Sequence, residues 1–220
     1  MNGISVSTAF GSLPQASELA GQVDRLAFSL MALNVLLVAV LFGLMAGFAY
    51  RYRRGSSADR SGKVSERKLE TAWSLGLLAL FLGIFVWSAR LYIAEESSPE
   101  RSVLNIHGLG KQWMWKFEHP GGQREINELH LPLGVPVKLL LATQDVIHSF
   151  YVPAFRLKQD VVPGRVLAVS FTPSRSGHYR LFCAEYCGLD HARMGGEVIV
   201  LEQEDYLAWL AGTLRAEVRP

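Results

Sequence analysis

Cys183-Ala184-Glu185-Tyr186-Cys187-Gly188-Leu189-Asp190-His191-Ala192-Arg193-Met194 holds both cysteines of a 220-residue chain, with a histidine and a methionine beside them. Two thiolates, an imidazole and a thioether are a soft donor set that copper favours. The stretches on either side, His178–Cys183 and Val198–Leu201, are short and alternating or β-branched, so the loop joins two strands. One cysteine, two histidines and an axial methionine would describe a mononuclear copper site. Here a second cysteine follows four residues after the first, which lets two thiolates face one site and bridge two ions. A second histidine must come from elsewhere in the chain. Of the six present, His148 follows a strand among apolar residues, in Asp145-Val146-Ile147-His148-Ser149-Phe150-Tyr151-Val152-Pro153, where a lone histidine is more often a half-buried packing residue than a ligand, and both readings stay open. His107, His119, His130 and His178 have no partner donors at ligand spacing and are assigned to the surface or to turns. On spacing alone two other readings stay open, a Cys183–Cys187 disulfide and a closed zinc site. Met194 favours copper, because a thioether adds nothing to either.

Outward from the loop the same strand pattern recurs. Val103–His107, Gln112–Glu118, Ile126–Leu131, Val137–Ala142 and Val166–Thr172 are further short segments, punctuated by Pro120-Gly121-Gly122, Gly134-Val135-Pro136, Pro163-Gly164 and Gly195-Gly196. Many short strands with regular turns predict a β-sandwich of Greek-key type over 94–204. Tyr206, Trp209 and Leu210 lie at helical spacing, so Glu202–Leu214 predicts a short C-terminal helix, with 205–220 as helix and tail.

Upstream the composition changes. Half the chain is apolar and the mean hydropathy is +0.18. The excess is concentrated in two charge-free runs, Leu26–Tyr50 and Thr71–Ala89. Each exceeds the roughly 18 residues that cross a bilayer core, so 26–93 predicts a transmembrane hairpin. The first run begins too late and is too long for a cleavable signal peptide. The connector 51–70 carries Arg51, Arg53, Arg54, Arg60, Lys63, Arg67 and Lys68, which places it in the cytoplasm. The tail 1–25 and everything after residue 94 then face the periplasm of a bacterial-type inner membrane. Residues 1–93 hold nine basic and five acidic groups, and the rest of the chain is slightly acidic. The basic surplus therefore belongs to membrane topology and not to nucleic-acid binding.

Cys183-x-Glu185-x-Cys187-x-x-x-His191-x-x-Met194, with Asp145-Val146-Ile147-His148-Ser149-Phe150 upstream, resembles the CuA signature of cytochrome c oxidase subunit II. The likeness extends to the membrane hairpin, to Lys111-Gln112-Trp113-Met114-Trp115-Lys116-Phe117 and to Leu157-Lys158-Gln159-Asp160-Val161-Val162-Pro163-Gly164-Arg165. It implies a cupredoxin-like domain holding a dinuclear, mixed-valence copper centre. Cys183 and Cys187 would bridge the coppers; His148 and Met194 would complete one, and His191 and the Glu185 carbonyl the other. The Glu185 side chain would reach a magnesium shared with subunit I. Trp113 would be the point of electron input from cytochrome c, with Trp115 as packing. Glu70, at the start of the second span, would sit at the mouth of a proton path, although the proline that often follows in the family is missing after Trp73.

The implied function is to take electrons from cytochrome c and pass them to haem in subunit I, where oxygen is reduced and protons are pumped. The expected surroundings are subunit I, other oxidase subunits and membrane lipid. Both cysteines sit in the one loop, so no Cys-x-x-Cys-His haem attachment is present and the donor would be a separate protein. The alternative is a membrane-anchored copper-binding electron-transfer or copper-delivery protein outside any oxidase.

Overall fold

The computed structural model describes residues 13–61, 65–96 and 104–212. Residues 1–12 of the expected tail, Lys63, the first residue of the expected strand at Val103 and the helix end expected at Leu214 lie outside them. The chain divides into two compact units, Asp24–Ala94 and the remainder.

Two helices make up the first unit almost entirely. Helix α1 runs Glu18–Arg51 and α2 runs Glu66–Glu96. Both are long and apolar enough to cross a membrane, and their side chains are exposed along most of their length. A helix apolar all round with no protein against it has lipid as its natural solvent. Helix α1 starts upstream of Leu26, the boundary set by hydropathy. The reason is a cap: the Ser17 hydroxyl accepts from the Ala20 N–H at 3.1 Å, and Glu18 favours the positive end of the dipole.

Ser17 and the first turn of α1 belong to the second unit, the one that also holds everything after Ala94. The Ser17 hydroxyl donates to the Phe155 carbonyl at 2.9 Å. Ala16 bonds the backbone of Ala154 and Ser174, and both Ala16 and Ser17 are buried. Ser17→Ala is expected to cost about 1–2 kcal/mol, since the buried Phe155 carbonyl loses its donor and the helix loses its cap together. Thermal unfolding of the full chain in detergent measures it.

The second unit is a sandwich of two five-stranded sheets. Its strands are β1 (Leu104–Lys111), β2 (Met114–Glu118), β3 (Arg124–Ile126), β4 (Glu128–Pro132) and β5 (Val137–Thr143), followed by β6 (His148–Val152), β7 (Leu157–Val161), β8 (Leu167–Phe171), β9 (Gly177–Cys183) and β10 (Gly195–Leu201). One sheet has the order β3-β2-β1-β5-β8, the other β4-β10-β9-β6-β7. Strand alternation sends every second residue inward. Ile106, Trp115, Phe117, Leu139 and Leu141 from the first sheet meet Leu129, Phe150, Leu181, Val198 and Val200 from the second, all essentially buried. Helix α3 (Gln203–Leu210) follows β10 and starts one residue later than the amphipathic pattern predicts.

Three local expectations change. Trp113 is not in a strand: β2 begins at Met114, and Trp113 lies in the turn after β1, so it does not share a strand face with Trp115. No strand was expected over 148–161; the structure has the hairpin β6–β7 there, with His148 the first residue of β6. His119 and His130 are not at the surface; they are 2% and 4% exposed.

Glu125 explains the buried histidines. It accepts from His119 Nε2 at 2.8 Å, from the His130 backbone N–H at 3.0 Å and from His130 Nδ1. Helix α3 closes over the group, with the Tyr206 hydroxyl 3.1 Å from His119 Nδ1 and the Trp209 ring stacked on His130 at 4.6 Å. Burial alone would raise the Glu125 pKa, but the hydrogen bonds from both histidines outweigh it and hold the carboxyl below its usual range. A depressed folded pKa contributes stability above the unfolded value, roughly 4.3, and that stability is lost as pH falls through the folded value. Glu125→Gln is therefore expected to flatten the acid limb of a stability-versus-pH curve. At neutral pH it should cost ~2 kcal/mol, because a donating amide leaves imidazole N–H groups unpaired.

Candidate metal centre

Strand pairing assembles the site. Cys183 ends β9 and sits opposite Phe150 of β6, so His148 is carried to the same end of the sheet. The loop is closed at its base by the Cys183 N–H donating to the Met194 carbonyl at 3.0 Å. The Ala184 N–H donates to the Ser149 carbonyl at 3.0 Å, fixing the loop to β6. A short 3-10 turn, His191–Arg193, precedes Met194, which stands directly before β10.

All the donors named from the sequence converge. The two sulfurs are 3.8 Å apart and both thiols are free, so no disulfide joins them. Cys183 Sγ lies 3.9 Å from His148 Nδ1 and 3.3 Å from the Glu185 carbonyl oxygen. Cys187 Sγ lies 3.5 Å from His191 Nδ1 and 3.6 Å from Met194 Sδ. Cys183, Cys187, Met194 and His148 are buried, whereas the Glu185 side chain is exposed and only its carbonyl faces inward. Metal–thiolate bonds of about 2.3 Å at a tetrahedral angle place two sulfurs about 3.8 Å apart, so this spacing suits sulfurs sharing an ion.

The donors outnumber what one ion needs. Two thiols, two imidazoles, a thioether and a carbonyl exceed what a single tetrahedral ion takes. Two ions that share both sulfurs are served by four donors each. The charge balance agrees. Burial and the adjacent Cys183 thiol push the Cys187 thiol up to about 12. Two thiolates this close and this dry require bound cations to exist together.

Beyond the donors, the structure shows partners that sequence reasoning missed. Asp145 Oδ1 accepts from His148 Nε2 at 2.8 Å, which leaves Nδ1 as the free donor nitrogen. Burial would raise the Asp145 pKa, yet the Gln112 backbone N–H, His148 and the Val146 N–H together hold it at about 2. Gly110 makes room for the imidazole: a Cβ there would lie 3.0 Å from the His148 ring and 3.3 Å from that of Trp115. Trp115 is fully buried and edge-on to His148 at 6.0 Å, as a packing residue should be. Trp113 is half-buried, with its indole against Gly188 of the loop. Glu70 lies in α2, exposed and in the other unit. A second group within ligand distance, Glu125, Glu128 and His130, has its central carboxylate already saturated by hydrogen bonds.

A family model described as cytochrome c oxidase subunit II, periplasmic domain, matches residues 123–203. The alternative cytochrome c oxidase subunit 2 of Bradyrhizobium diazoefficiens is 31% identical over 210 residues, covering 80% of this chain and 74% of its own. The chain belongs to the cytochrome c oxidase subunit II family. Cytochrome c oxidase subunit 2 of Thermostichus vulcanus is 31% identical over 254 residues, covering 90% of this chain and 77% of the relative. That of Cereibacter sphaeroides is 30% identical over 241 residues, covering 91% and 78%. The crystal structure of the periplasmic domain of subunit II of cytochrome oxidase from Bradyrhizobium japonicum is 30% identical, covering 52% of this chain and 95% of that one, with a TM-score of 0.49. Subunit II membership makes the chain a membrane-anchored component of an oxidoreductase complex, with a cupredoxin-like domain on the outer side and a role in electron transport.

Proposed function

We propose that this chain receives electrons from a cytochrome c at a dinuclear copper centre and passes them toward haem in subunit I of a haem-copper oxidase. The observation that carries the reading is the convergence of four further donors on two sulfurs 3.8 Å apart. Cys183 and Cys187 would bridge the ions, with His148 and Met194 on one and His191 and the Glu185 carbonyl on the other. When bound, the copper pair supplies a one-electron redox couple spread over both ions.

The chain's own residues hold that geometry. The buried thiols, Met194 and His148 exclude water, and Asp145 fixes the His148 tautomer. Trp113, packed on the loop, would be the point of electron input. The exposed Glu185 carboxylate would be free to meet a magnesium at the boundary with subunit I. Glu70, exposed at the start of α2, would take protons at the cytoplasmic face. The hairpin would hold the chain in a bacterial-type inner membrane among lipid and the other oxidase subunits.

Metal analysis and electron paramagnetic resonance of the purified, copper-loaded full chain test the reading. Two coppers per chain with a delocalised mixed-valence signal are expected. One copper with a blue-copper spectrum, or zinc alone, would overturn it.

A further inference from the structure

Gln112 lies in the turn between β1 and β2, directly before Trp113. Its backbone N–H donates to Asp145 Oδ2 at 2.8 Å, and the other oxygen of that carboxylate accepts from His148 Nε2 at 2.8 Å. Its side-chain Nε2 donates to the Cys187 carbonyl at 2.8 Å. One residue thus bonds to both segments that bring donors to the site, the β6 arm and the cysteine loop. The neighbouring indole has no such bond. Trp113 Nε1 is buried and has no hydrogen-bond partner among the described residues. The ring rests on Gly188, where an added Cβ would come within 3.2 Å of Cζ2, 3.3 Å of Nε1 and 2.9 Å of Gln112 Nε2. With no polar contact of its own, the indole takes its place from the turn that carries it.

We propose that Gln112 is a positioning residue for electron input: by bonding to the Cys187 carbonyl it holds the Trp113 indole against the copper-binding loop. The proposal rests on the reading of Trp113 as the point where the electron arrives. One electron leaves the reduced cytochrome c and reaches the oxidised centre; Gln112 itself exchanges neither electron nor proton. Gln112→Ala removes the side-chain bond and keeps the backbone one. Gln112→Glu keeps the size, but its carboxylate cannot donate to a carbonyl at neutral pH.

In the assembled oxidase, both variants are expected to slow electron transfer within the bound cytochrome c complex about tenfold, since small misplacements of reacting partners carry large rate penalties. The KM for cytochrome c, the copper content and the paramagnetic spectrum should stay at wild-type values. In a Trp113→Phe background the effect of either variant should vanish. A raised KM at constant kcat would overturn the proposal and make Gln112 a donor-docking residue. A changed spectrum or copper content would overturn it in favour of a part in building the metal site. An undiminished effect in the Trp113→Phe background would also overturn it. If Trp113→Phe alone leaves the rate untouched, the reading of Trp113 fails and the proposal with it. A slow Trp113→Phe beside normal Gln112 variants defeats the proposal alone.

Discussion

Cys187→Ser is expected to reduce the copper content from two per chain to one at most and to abolish the mixed-valence signal, while the sandwich remains folded. Cys187 Sγ has His191 Nδ1 at 3.5 Å, Met194 Sδ at 3.6 Å and Cys183 Sγ at 3.8 Å, so it stands among the donors proposed for both ions. A serine hydroxyl is a harder ligand and stays protonated, so it cannot replace a bridging thiolate. Loss of an outer-shell partner commonly weakens a metal site about 10–100-fold, and loss of a shared ligand should exceed that. Electron input to the oxidase should fall by more than about 100-fold. The structural penalty is smaller. Cys187 is 3% exposed, and burying a hydroxyl there costs on the order of 1–2 kcal/mol. Metal analysis, paramagnetic resonance and far-ultraviolet circular dichroism separate the two effects. Retention of two coppers by the variant would show that the sulfurs do not bridge.

The candidate donor set was legible because its residue types are chemically distinctive and all but His148 share one loop. His148 is 35 residues away from Cys183 and arrives through the β6–β9 pairing, which leaves no mark in local sequence. Its assignment at the sequence level rested on family resemblance. The supporting shell was not legible at all. Gln112 acts partly through its backbone N–H, and Gly110 and Gly188 act by lacking a side chain, roles that residue type does not announce. The two membrane helices were plain from hydropathy, yet the start of α1 was not, since Ser17 acts through tertiary contact as well as capping. The aromatic run around Trp113 hid a turn because its apolar character continues across the break. His119 and His130 were misplaced for a related reason: a histidine becomes a core residue only when a partner such as Glu125 satisfies it, and that partner is identified by the fold.

Gly196→Ala is expected to destabilise the sandwich by about 3 kcal/mol and to weaken copper retention, although Gly196 offers no donor. A Cβ at Gly196 would lie 2.2 Å from the Asn127 carbonyl oxygen and 2.9 Å from its carbon. Both are backbone atoms, so no side-chain rotation relieves the clash. Asn127 cannot retreat either. It sits at φ 60, its N–H donates to the Trp115 carbonyl at 2.8 Å, and its Oδ1 accepts from the Trp115 N–H at 2.8 Å. Its own carbonyl accepts from the Glu197 N–H at 2.8 Å, so Asn127 links β2 of one sheet to β10 of the other. The remaining adjustment is to move β10, which costs the upper end of the usual overpacking range of about 1–3 kcal/mol. Met194 lies two residues before Gly196, and its carbonyl accepts from the Cys183 N–H, so a shift of β10 displaces a proposed ligand and the base of the loop together. Gly164→Ala provides the contrast. Gly164 has φ 76 and nothing within 4 Å of an added Cβ, so it carries only a left-handed penalty of about 1–2 kcal/mol and should leave copper binding intact. Equal copper loss in both variants would mean that general instability, and not the β10 shift, empties the site.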